Sequence, residues 1–283
     1  MAKLLEGKLV TAAMKDKQTL QVKELEAKGI TPTLGIIRVG ERPDDISYEK
    51  GATKRCEGVG VAVKVFALPA DCTQEHLLEV IGKVNADASI HGVLLFRPLP
   101  KYMDDEVVRN SLASHKDIDG ITDLSLAGVF TGKSNGFAPC TAQACIEILD
   151  HFGYELKGKK VAVVGRSLVV GKPLAPMLID RHATITVCHT RTVDMPAICR
   201  EADIIIAAAG RAGVVSGEFF APEQVVVDVG INFTDEGKMC GDADFAAAEP
   251  IVGAITPVPG GVGTVTTSVL VGNVITAALK TIS

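Results

Sequence analysis

Apolar residues follow two alternating patterns in the first half of the chain. They occur at helical spacing over residues 9–27, 46–58 and 76–84, and they form short continuous runs over 33–39, 61–68 and 92–96. Continuous apolar runs of this length, separated by helices, are typical of strands that are buried in a parallel sheet. The first half is therefore predicted to be an α/β structure with a mostly parallel sheet.

The second half repeats this alternation more clearly. Predicted strands at 160–164, 184–187, 204–208 and 225–229 are each separated by enough residues for a helix or a long loop. This order is typical of a doubly wound, Rossmann-like nucleotide-binding domain.

The boundary between the two predicted domains lies near residue 140. Residues 131–139 are rich in Gly, Ser, Asn and Pro, and a helix is predicted to begin at Thr141. A chain of 283 residues also exceeds the usual size of one domain. We expect the final helix, after Gly263, to return to the first domain. The predicted domains are therefore 1–140 with 265–283, and 141–264.

Charge and cysteine content exclude several classes of protein. A formal net charge of -5 provides no basic surface for nucleic acid, and the seven cysteines lack the spacing of a metal site or a disulfide framework. The uncharged segment 251–279 is long enough to span a membrane, but its Pro, Gly, Ser, Thr and Asn residues favour a loop followed by a buried helix. We therefore expect a cytoplasmic protein that binds no metal, no nucleic acid and no membrane.

A candidate cofactor site follows the first predicted strand of the second half. The strand ends at Gly165, and Gly171 leads into the next helix, where backbone N–H groups could meet a phosphate. The glycines are six residues apart, which departs from the usual G-x-G-x-x-G spacing, so a tight turn without a ligand remains an alternative. After the next strand come Thr190 and Arg191, with no carboxylate before Asp194. A 2'-phosphate needs cations and hydroxyl groups, so these residues favour NADP over NAD.

Five motifs identify a family that the chain resembles over nearly its whole length. They are Lys116-Asp117-Ile118-Asp119-Gly120, Pro139-Cys140-Thr141, Gly165-Arg166-Ser167 with Val170-Gly171-x-Pro173, Val227-Asp228-Val229-Gly230-Ile231-Asn232, and the highly specific Thr256-Pro257-Val258-Pro259-Gly260-Gly261-Val262-Gly263. In these residues the chain resembles the methylenetetrahydrofolate dehydrogenase/cyclohydrolase family. The resemblance implies two α/β domains around a folate-binding cleft, the second of them a doubly wound Rossmann-like NADP-binding domain, and a homodimer.

The resemblance also implies roles for particular residues. Tyr48 and Asp119 are the expected catalytic residues, with Asp119 hydrogen-bonded to the pterin ring of the folate. Further residues expected to line the substrate site are Leu95, Phe96, Arg97, Pro259, Gly260, Gly261, Val262 and Gly263. Residues expected to contact NADP are Gly165, Arg166, Ser167, Gly171, Thr190, Arg191 and Ile231. Hydride transfer has no use for the thiol of Cys140, which we interpret as structural.

Two positions depart from the family pattern. The family normally has a lysine four residues after the tyrosine and a glutamine just before Leu-Pro-Leu-Pro, whereas this chain has Ala52 and Phe96 there. Lys50 and Lys54 lie two residues to either side of Ala52, and a shift of two residues turns a helical side chain by about 200°. Neither lysine is therefore expected to replace the missing one.

These observations lead to one main hypothesis and two alternatives. Hydride transfer from 5,10-methylenetetrahydrofolate to NADP needs positioning of the reactants, whereas the cyclohydrolase step also needs proton transfers. We therefore expect an oxidoreductase whose cyclohydrolase activity is lost or weak and whose product passes to a separate cyclohydrolase. The first alternative is a fully bifunctional dehydrogenase/cyclohydrolase. The second is another Rossmann-type NADP-dependent dehydrogenase or an NADP-binding sensor.

Overall fold

The computed structural model describes residues 1–133 and 135–282. Ser134, in the predicted interdomain segment, and Ser283, at the end of the first predicted domain, lie outside the described residues. The described chain forms two compact units. Residues 1–12 and 141–266 make up one, which we call the six-stranded unit, and residues 13–140 and 267–282 make up the other, the three-stranded unit.

The helices that the structure describes, in chain order, are α1 (Gly7–Glu26), α2 (Pro43–Glu57), α3 (Gln74–Ala86), α4 (Asp105–Ser111), α5 (Asp123–Thr131), α6 (Cys140–His151), α7 (Gly171–Asp180), α8 (Met195–Arg200), α9 (Phe245–Ala248) and α10 (Val262–Leu279). The corresponding strands are β1 (Lys3–Leu4), β2 (Thr33–Val39), β3 (Ala62–Leu68), β4 (Gly92–Leu95), β5 (Lys160–Val164), β6 (Thr184–Cys188), β7 (Ile204–Ala207), β8 (Val225–Asp228), β9 (Asn232–Phe233), β10 (Met239–Cys240) and β11 (Ala254–Ile255).

A parallel sheet with the strand order β3-β2-β4 is the centre of the three-stranded unit. The central strand β2 is buried along its whole length, which explains its continuous apolar sequence. Buried side chains of this sheet pack with those of α3 and α4, among them Ile37, Val93, Leu95, Leu77 and Val108. The carboxyl ends of β2 and β4 lead into the segments that carry Tyr48 and Phe96, and Val93 of β4 forms a bridge with Asp117, two residues before Asp119.

The larger sheet has the strand order β1-β11-β8-β7-β5-β6, and all neighbouring strands are parallel. Strand β6 pairs with one side of β5. The next two strands, β7 and then β8, extend the sheet from the other side of β5. Such a reversal leaves a crevice at the carboxyl ends of the strands, where doubly wound sheets bind nucleotides. The two α/β units and this Rossmann-like sheet confirm the predicted fold class.

The first twelve residues lie in the six-stranded unit, whereas the predicted division placed them in the other domain. The reason is a strand pairing at the edge of the larger sheet. Lys3 and Leu4 form β1 and pair with Ala254 and Ile255 of β11, and the N–H of Leu5 donates to the carbonyl of Ile255 at 2.9 Å. A two-residue strand has no hydrophobic period, so this pairing leaves no pattern in the sequence.

Helix α10 contains most of the uncharged segment near the end of the chain. Its eighteen residues have a mean hydropathy of 1.6 and could cross a membrane by length and composition alone. However, 56% of them are buried within the protein, as in the core helix of a globular fold, so the segment is weak evidence for a span. The helix begins at Val262, so Val262 and Gly263, which were predicted to lie in a loop, form its first turn.

Candidate active site

Helix α2 carries Tyr48 and Ala52, and an ion pair connects it to the end of β2. Its first residue is proline, a favoured start for a helix because the missing N–H would have no helical partner there. The guanidinium Nε of Arg38, in β2, contacts a carboxylate oxygen of Glu49 in α2 at 2.8 Å. Ala52 is fully buried, one helical turn after Tyr48, so that position presents only a methyl group.

Lys50 and Lys54, the two residues that could be thought to replace the family's lysine, are both exposed. Ala52 between them is buried. This difference follows the rotation of about 200° that separates side chains two residues apart on a helix. The structure thus places the two lysines on a different part of the α2 surface from Ala52.

Phe96 directly follows β4 and lies against Tyr48. Its backbone N–H donates to the carbonyl of Ile37 at 2.9 Å, which continues the sheet pairing by one residue. The two aromatic rings meet edge to face, with centroids 5.8 Å apart and an interplanar angle of 86°. An apolar ring therefore occupies the position where the family pattern has an amide, and it can neither donate nor accept a conventional hydrogen bond.

The hydroxyl of Tyr48 stays protonated over the whole physiological range. Burial raises the pKa of Tyr48 well above its ordinary value, and the negative charge of Asp119 raises it further, while a hydrogen bond with Thr267 of α10 opposes the shift. Tyr48 is nevertheless 36% exposed, so part of its ring remains open to a ligand. The residue can act as a neutral hydrogen-bond donor but is a poor source of negative charge.

The loop that presents Asp119 is held by the two residues at its start. The fully buried carboxylate of Asp117 accepts hydrogen bonds from the N–H groups of Ile121 (3.0 Å) and Thr122 (2.8 Å) and from the hydroxyl of Ser125 (2.6 Å). The ammonium of Lys116 donates to the carbonyl groups of residues 84 and 87, at 2.9 and 2.7 Å. The motif at 116–120 therefore forms a fixed turn, which limits where Asp119 can point.

Asp119 is poised to exchange a proton near neutral pH. Desolvation raises the pKa of its carboxyl to about 7, and the neighbouring charge of Asp117 adds to this shift. A hydrogen bond from Cys140 and the positive charge of Arg97 act in the opposite direction. Both protonation states of Asp119 are thus populated at pH 7, as expected of a group that takes part in acid–base chemistry or in recognition of a polar ring.

Cys140 is buried beside Asp119 and has a structural environment. Its thiol donates to the carbonyl of Ile118 at 3.1 Å and lies 3.6 Å from the amide nitrogen of Asn273, which itself donates to Ile118 at 2.8 Å. Burial raises the pKa of the Cys140 thiol well above its ordinary value, and the charge of Asp119 raises it further. The thiol therefore remains neutral, in agreement with the structural interpretation.

Thr267 and Asn273 are contacts of this site that the sequence analysis did not identify. Both come from α10, which follows β4 by more than 160 residues along the chain. The only available signal was the presence of polar residues in an otherwise apolar helix, because buried polar groups need partners.

The remaining predicted substrate residues of this unit differ in their environment. Leu95 is buried in the core cluster of the sheet, whereas Arg97 is exposed and pairs with Asp105, with 2.6 Å between its Nε and a carboxylate oxygen. Asp105 also lies 4.0 Å from the guanidinium of Arg109. Arg97 thus places a positive charge beside Phe96 at the rim of the unit.

In the six-stranded unit, Gly165 and Gly171 permit a turn too tight for any other residue. Gly165 has a φ of +129°, and a Cβ atom there would overlap the carbonyl of Ala208 at the end of β7. A Cβ at Gly171 would overlap the carbonyl of Gly165. The hydroxyl of Ser167 accepts from the N–H of Val170 at 3.2 Å, inside the same turn. The turn brings the start of α7 close to the end of β5, as a phosphate site requires.

Arg166, Thr190 and Arg191 lie at one edge of the larger sheet. Val164 of β5 pairs with Cys188 of β6, so the residues that follow these two strands emerge side by side. All three side chains are exposed. The arrangement offers two cations and a hydroxyl group to an anionic ligand.

Ile231 and the segment Pro259–Gly263 come together in the same unit. Ile231 follows β8 and is 59% exposed, and its Cδ1 would lie 3.4 Å from a Cβ built at Gly263. The N–H of Gly7 donates to the carbonyl of Gly260 at 2.8 Å. The structure thus joins one predicted cofactor contact to the predicted substrate loop.

Two family models match the chain. The catalytic domain of tetrahydrofolate dehydrogenase/cyclohydrolase matches residues 5–119, and the NAD(P)-binding domain of the same family matches residues 139–282. The bifunctional protein FolD of Carboxydothermus hydrogenoformans is 50% identical over 272 residues, which cover 95% of each chain.

Solved structures agree with this assignment. The bifunctional enzyme FolD of Campylobacter jejuni superposes with a TM-score of 0.96 at 36% identity and covers 99% of this chain and 100% of its own. The N5,N10-methylenetetrahydrofolate dehydrogenase-cyclohydrolase of Trypanosoma brucei, solved with NADP and an inhibitor, has a TM-score of 0.92 at 33% identity over 99% of this chain and 98% of its own. The chain therefore belongs to the tetrahydrofolate dehydrogenase/cyclohydrolase family.

Proposed function

We propose that this protein is an NADP-dependent methylenetetrahydrofolate dehydrogenase in which the cyclohydrolase reaction is lost or slow. Family membership supports the dehydrogenase activity. The observation that carries the second part is the pair of substitutions beside Tyr48. A buried methyl group at Ala52 and an apolar ring at Phe96 replace the two polar groups of the family pattern.

The residues of the six-stranded unit fit NADP as the cofactor. The turn from Gly165 to Gly171 brings the backbone N–H groups at the start of α7 to the crevice at the carboxyl ends of the strands, where the strand order reverses. Arg166, Thr190 and Arg191 would hold the 2'-phosphate at the shared edge of β5 and β6. When bound, the nicotinamide ring supplies the hydride acceptor.

Hydride transfer needs little acid–base chemistry from the protein. The protein must hold the one-carbon unit near the acceptor and keep water away. Tyr48 would line the folate site as a neutral hydroxyl donor, and Asp119 would hydrogen-bond the pterin ring in either of its protonation states. Both residues are retained, so this half of the family's chemistry has the groups that it requires.

Hydrolysis of the methenyl product makes greater demands on the site. Water must lose a proton as it adds to the methenyl carbon, and a ring nitrogen must gain one as the ring opens. A lysine near Tyr48 could carry these protons and a glutamine could orient it, but neither alanine nor phenylalanine can. Loss of a general acid or base lowers a rate by a factor of about 100 to 10,000.

A fully bifunctional enzyme is the second candidate, and two observations favour it. The FolD proteins of Carboxydothermus hydrogenoformans and Campylobacter jejuni, which match over nearly the whole chain, are named as bifunctional. In addition, the carboxyl of Asp119 has a pKa raised to about 7, so it could carry a proton to or from water. In this alternative Asp119 takes over the role of the missing lysine.

The dehydrogenase activity is tested with purified protein, NADP and methylenetetrahydrofolate. We expect NADPH to form, with NADP much preferred over NAD, and Arg191→Ala to raise the KM for NADP about tenfold or more because it removes one charge from the 2'-phosphate site. Lys50→Ala, on the exposed part of α2, is the control and should leave the KM unchanged. Tight binding of NADP without reduction would instead indicate a sensor, and reduction with only a hydroxy or amino acid would indicate another dehydrogenase.

We also propose that the protein is a cytoplasmic homodimer and passes its product to a separate cyclohydrolase. These points rest on the family resemblance and on the substitutions at Ala52 and Phe96. Light scattering should give twice the chain mass of 29.7 kDa, and a mass of one chain would contradict the dimer.

A further inference from the structure

Two carboxylates are buried next to each other in the six-stranded unit, and neither was assigned a role above. Asp228 is the last residue of β8 and is 3% exposed, and Asp242 follows β10 and is fully buried. Adjacent buried carboxylates repel each other and lose hydration, so such an arrangement lowers stability unless other groups compensate. The hydrogen-bond donors that surround Asp228 and Asp242 indicate the role of the two carboxylates.

Asp242 joins two loops at the carboxyl edge of the sheet. One carboxylate oxygen accepts from the N–H of Gly210 at 2.8 Å, and the other accepts from the N–H of Arg211 at 2.9 Å and from the side-chain amide of Asn232 at 2.9 Å. Gly210 and Arg211 follow β7, whereas Asn232 follows β8. A single side chain therefore fixes the segments that leave two adjacent strands.

Asp228 completes the arrangement from the sheet side. Its carboxylate accepts from the N–H groups of Gly230 (3.0 Å), Asp242 (2.9 Å) and Ala243 (3.0 Å). Its own N–H donates to the hydroxyl of Thr256 at 2.7 Å. The two carboxylates together receive six hydrogen bonds from the protein, which offsets much of their desolvation.

Two glycines make room for the carboxylates. A Cβ atom at Gly230 would overlap the carboxylate of Asp242, and a Cβ atom at Gly241 would overlap that of Asp228. Neither glycine has a positive φ, so close packing against the carboxylates, and not backbone freedom, requires glycine there. This packing explains the Asp and Gly positions of the motif at 227–232.

Ile231 lies between the two anchored residues of this motif. The N–H of Gly230 is bound by Asp228, and the side chain of Asn232 is bound by Asp242, while the Ile231 side chain between them is 59% exposed. An exposed apolar side chain on a fixed backbone is ready to contact a ligand without losing much conformational freedom. The carboxylate of Asp242 also holds Gly210 and Arg211 beside the end of β7.

We propose that Asp228 and Asp242 are positioning residues of the NADP site, which hold Ile231 and the Gly210–Arg211 segment in the arrangement that the cofactor binds. This inference rests on the proposed function, because Ile231 is a cofactor contact only if the six-stranded unit binds NADP. The two carboxylates do not contact the cofactor themselves. They act through the loops after β7 and β8.

The test compares Asp242→Leu and Asp242→Asn with the wild-type protein. Leucine removes all three acceptor contacts of Asp242, whereas asparagine keeps one acceptor oxygen of the same shape. We expect the Kd and KM for NADP to rise about tenfold or more in the leucine variant and by a smaller factor in the asparagine variant, because loops lose their fixed arrangement. The KM for methylenetetrahydrofolate should stay within about twofold of wild type.

Asp244→Asn provides the matched control, two residues further along. Asp244 is exposed and caps α9, and its carboxylate accepts from the N–H of Ala247 at 3.1 Å. Its replacement should lower the thermal midpoint slightly and leave the Kd for NADP unchanged.

Several outcomes would overturn the inference. Wild-type affinity for NADP in a folded Asp242→Leu variant would do so, as would an equal rise in the KM of both substrates or an equal rise in the Kd of Asp244→Asn. If the leucine variant does not fold, the Kd of Asp242→Asn decides the question. Failure of the wild-type protein to bind NADP would instead contradict the proposed function, and the inference with it.

Discussion

At position 52 the side chain is a single buried methyl group. An ammonium group there would lie one helical turn from Tyr48, whose hydroxyl is neutral and whose ring packs on Phe96. With Ala52 and Phe96 in place, Asp119 is the remaining group of the described site whose pKa is raised to about 7. The two proposed functions therefore differ in whether Asp119 alone can move protons to and from water.

Restoring both polar side chains tests this difference. The double variant Ala52→Lys with Phe96→Gln should hydrolyse methenyltetrahydrofolate about 100-fold faster than wild type or more, because a general acid/base regains its place. The rate is followed as loss of methenyl absorbance above the rate in buffer alone. Thr53→Lys is the matched control, since it adds a lysine to α2 about 100° further round the helix. A double variant no faster than wild type, or a control that is equally fast, would contradict the role assigned to Ala52 and Phe96.

The pKa of Asp119 predicts a loss of stability as pH rises. The carboxyl has a pKa of about 7 in the folded protein and of about 3.9 in an unfolded chain, so the unfolded state releases its proton first. The stabilising contribution of the neutral carboxyl is fully present below about pH 4 and is lost as pH rises through about 7. The side chain of the Asp119→Asn variant cannot ionise. The difference between its urea unfolding midpoint and that of the wild type at the same pH should therefore increase in favour of the variant between pH 4 and 7, and stay constant above pH 7.

Asp87 supplies a control of opposite sign for the same experiment. Hydrogen bonds from Ser89, first from its hydroxyl and then from its N–H, lower the pKa of Asp87 to about 2. This carboxyl contributes stability above about pH 4 that is lost as pH falls toward 2. Asp87→Asn should therefore lose stability relative to wild type as pH rises from 2 to 4. If the urea midpoints of Asp119→Asn and the wild type differed by the same amount at every pH, the result would contradict the raised pKa of Asp119.

Among the elements, those with strong hydrophobic periods could be predicted from the sequence. The predicted strand at 33–39 is β2, and the predicted helix at 9–27 is α1 within two residues at each end. The edge strand β1, its neighbour β11 and the β9-β10 pair have two residues per strand, too few to show a period. The positions of β1 and β11 are set by pairing with residues far along the chain, which a local pattern does not contain.

The strand-to-helix turn between β5 and α7 gives a prediction at the element scale. Gly165→Ala would require a Cβ at a φ of +129° and in contact with the carbonyl of Ala208. Strain of this kind costs about 1–3 kcal/mol before the overlap is relieved, so the thermal midpoint should fall by about 5 °C or more and NADP affinity should drop. Differential scanning calorimetry and titration calorimetry provide the two measurements.

Gly82→Ala is the control for a glycine substitution. Gly82 is exposed within α3 and has no atoms within 4 Å of an added Cβ. Alanine there should stabilise the protein by about 1 kcal/mol, because glycine is a poor helix former. A Gly165→Ala variant with wild-type midpoint and NADP affinity would show that the turn is not as tight as described.

At the scale of the whole molecule, the predicted fold class is confirmed and part of the candidate site could be predicted. Asp119 lies in one of the sequence motifs, and Tyr48 and Phe96 were predicted from the family resemblance that these motifs carry. Thr267 and Asn273 were not, since α10 reaches the three-stranded unit from a distant part of the sequence. The first twelve residues fall in the six-stranded unit for the same reason, through pairing across 250 positions.

The most direct test of the account is to measure both products in one wild-type reaction. Protein, NADP and methylenetetrahydrofolate are mixed, and NADPH, methenyltetrahydrofolate and 10-formyltetrahydrofolate are quantified over time against a buffer control for spontaneous hydrolysis. We predict that methenyltetrahydrofolate accumulates in step with NADPH and that 10-formyltetrahydrofolate forms no faster than in buffer. Formation of NADPH with prompt conversion of the methenyl compound to 10-formyltetrahydrofolate would contradict the account and establish the fully bifunctional alternative.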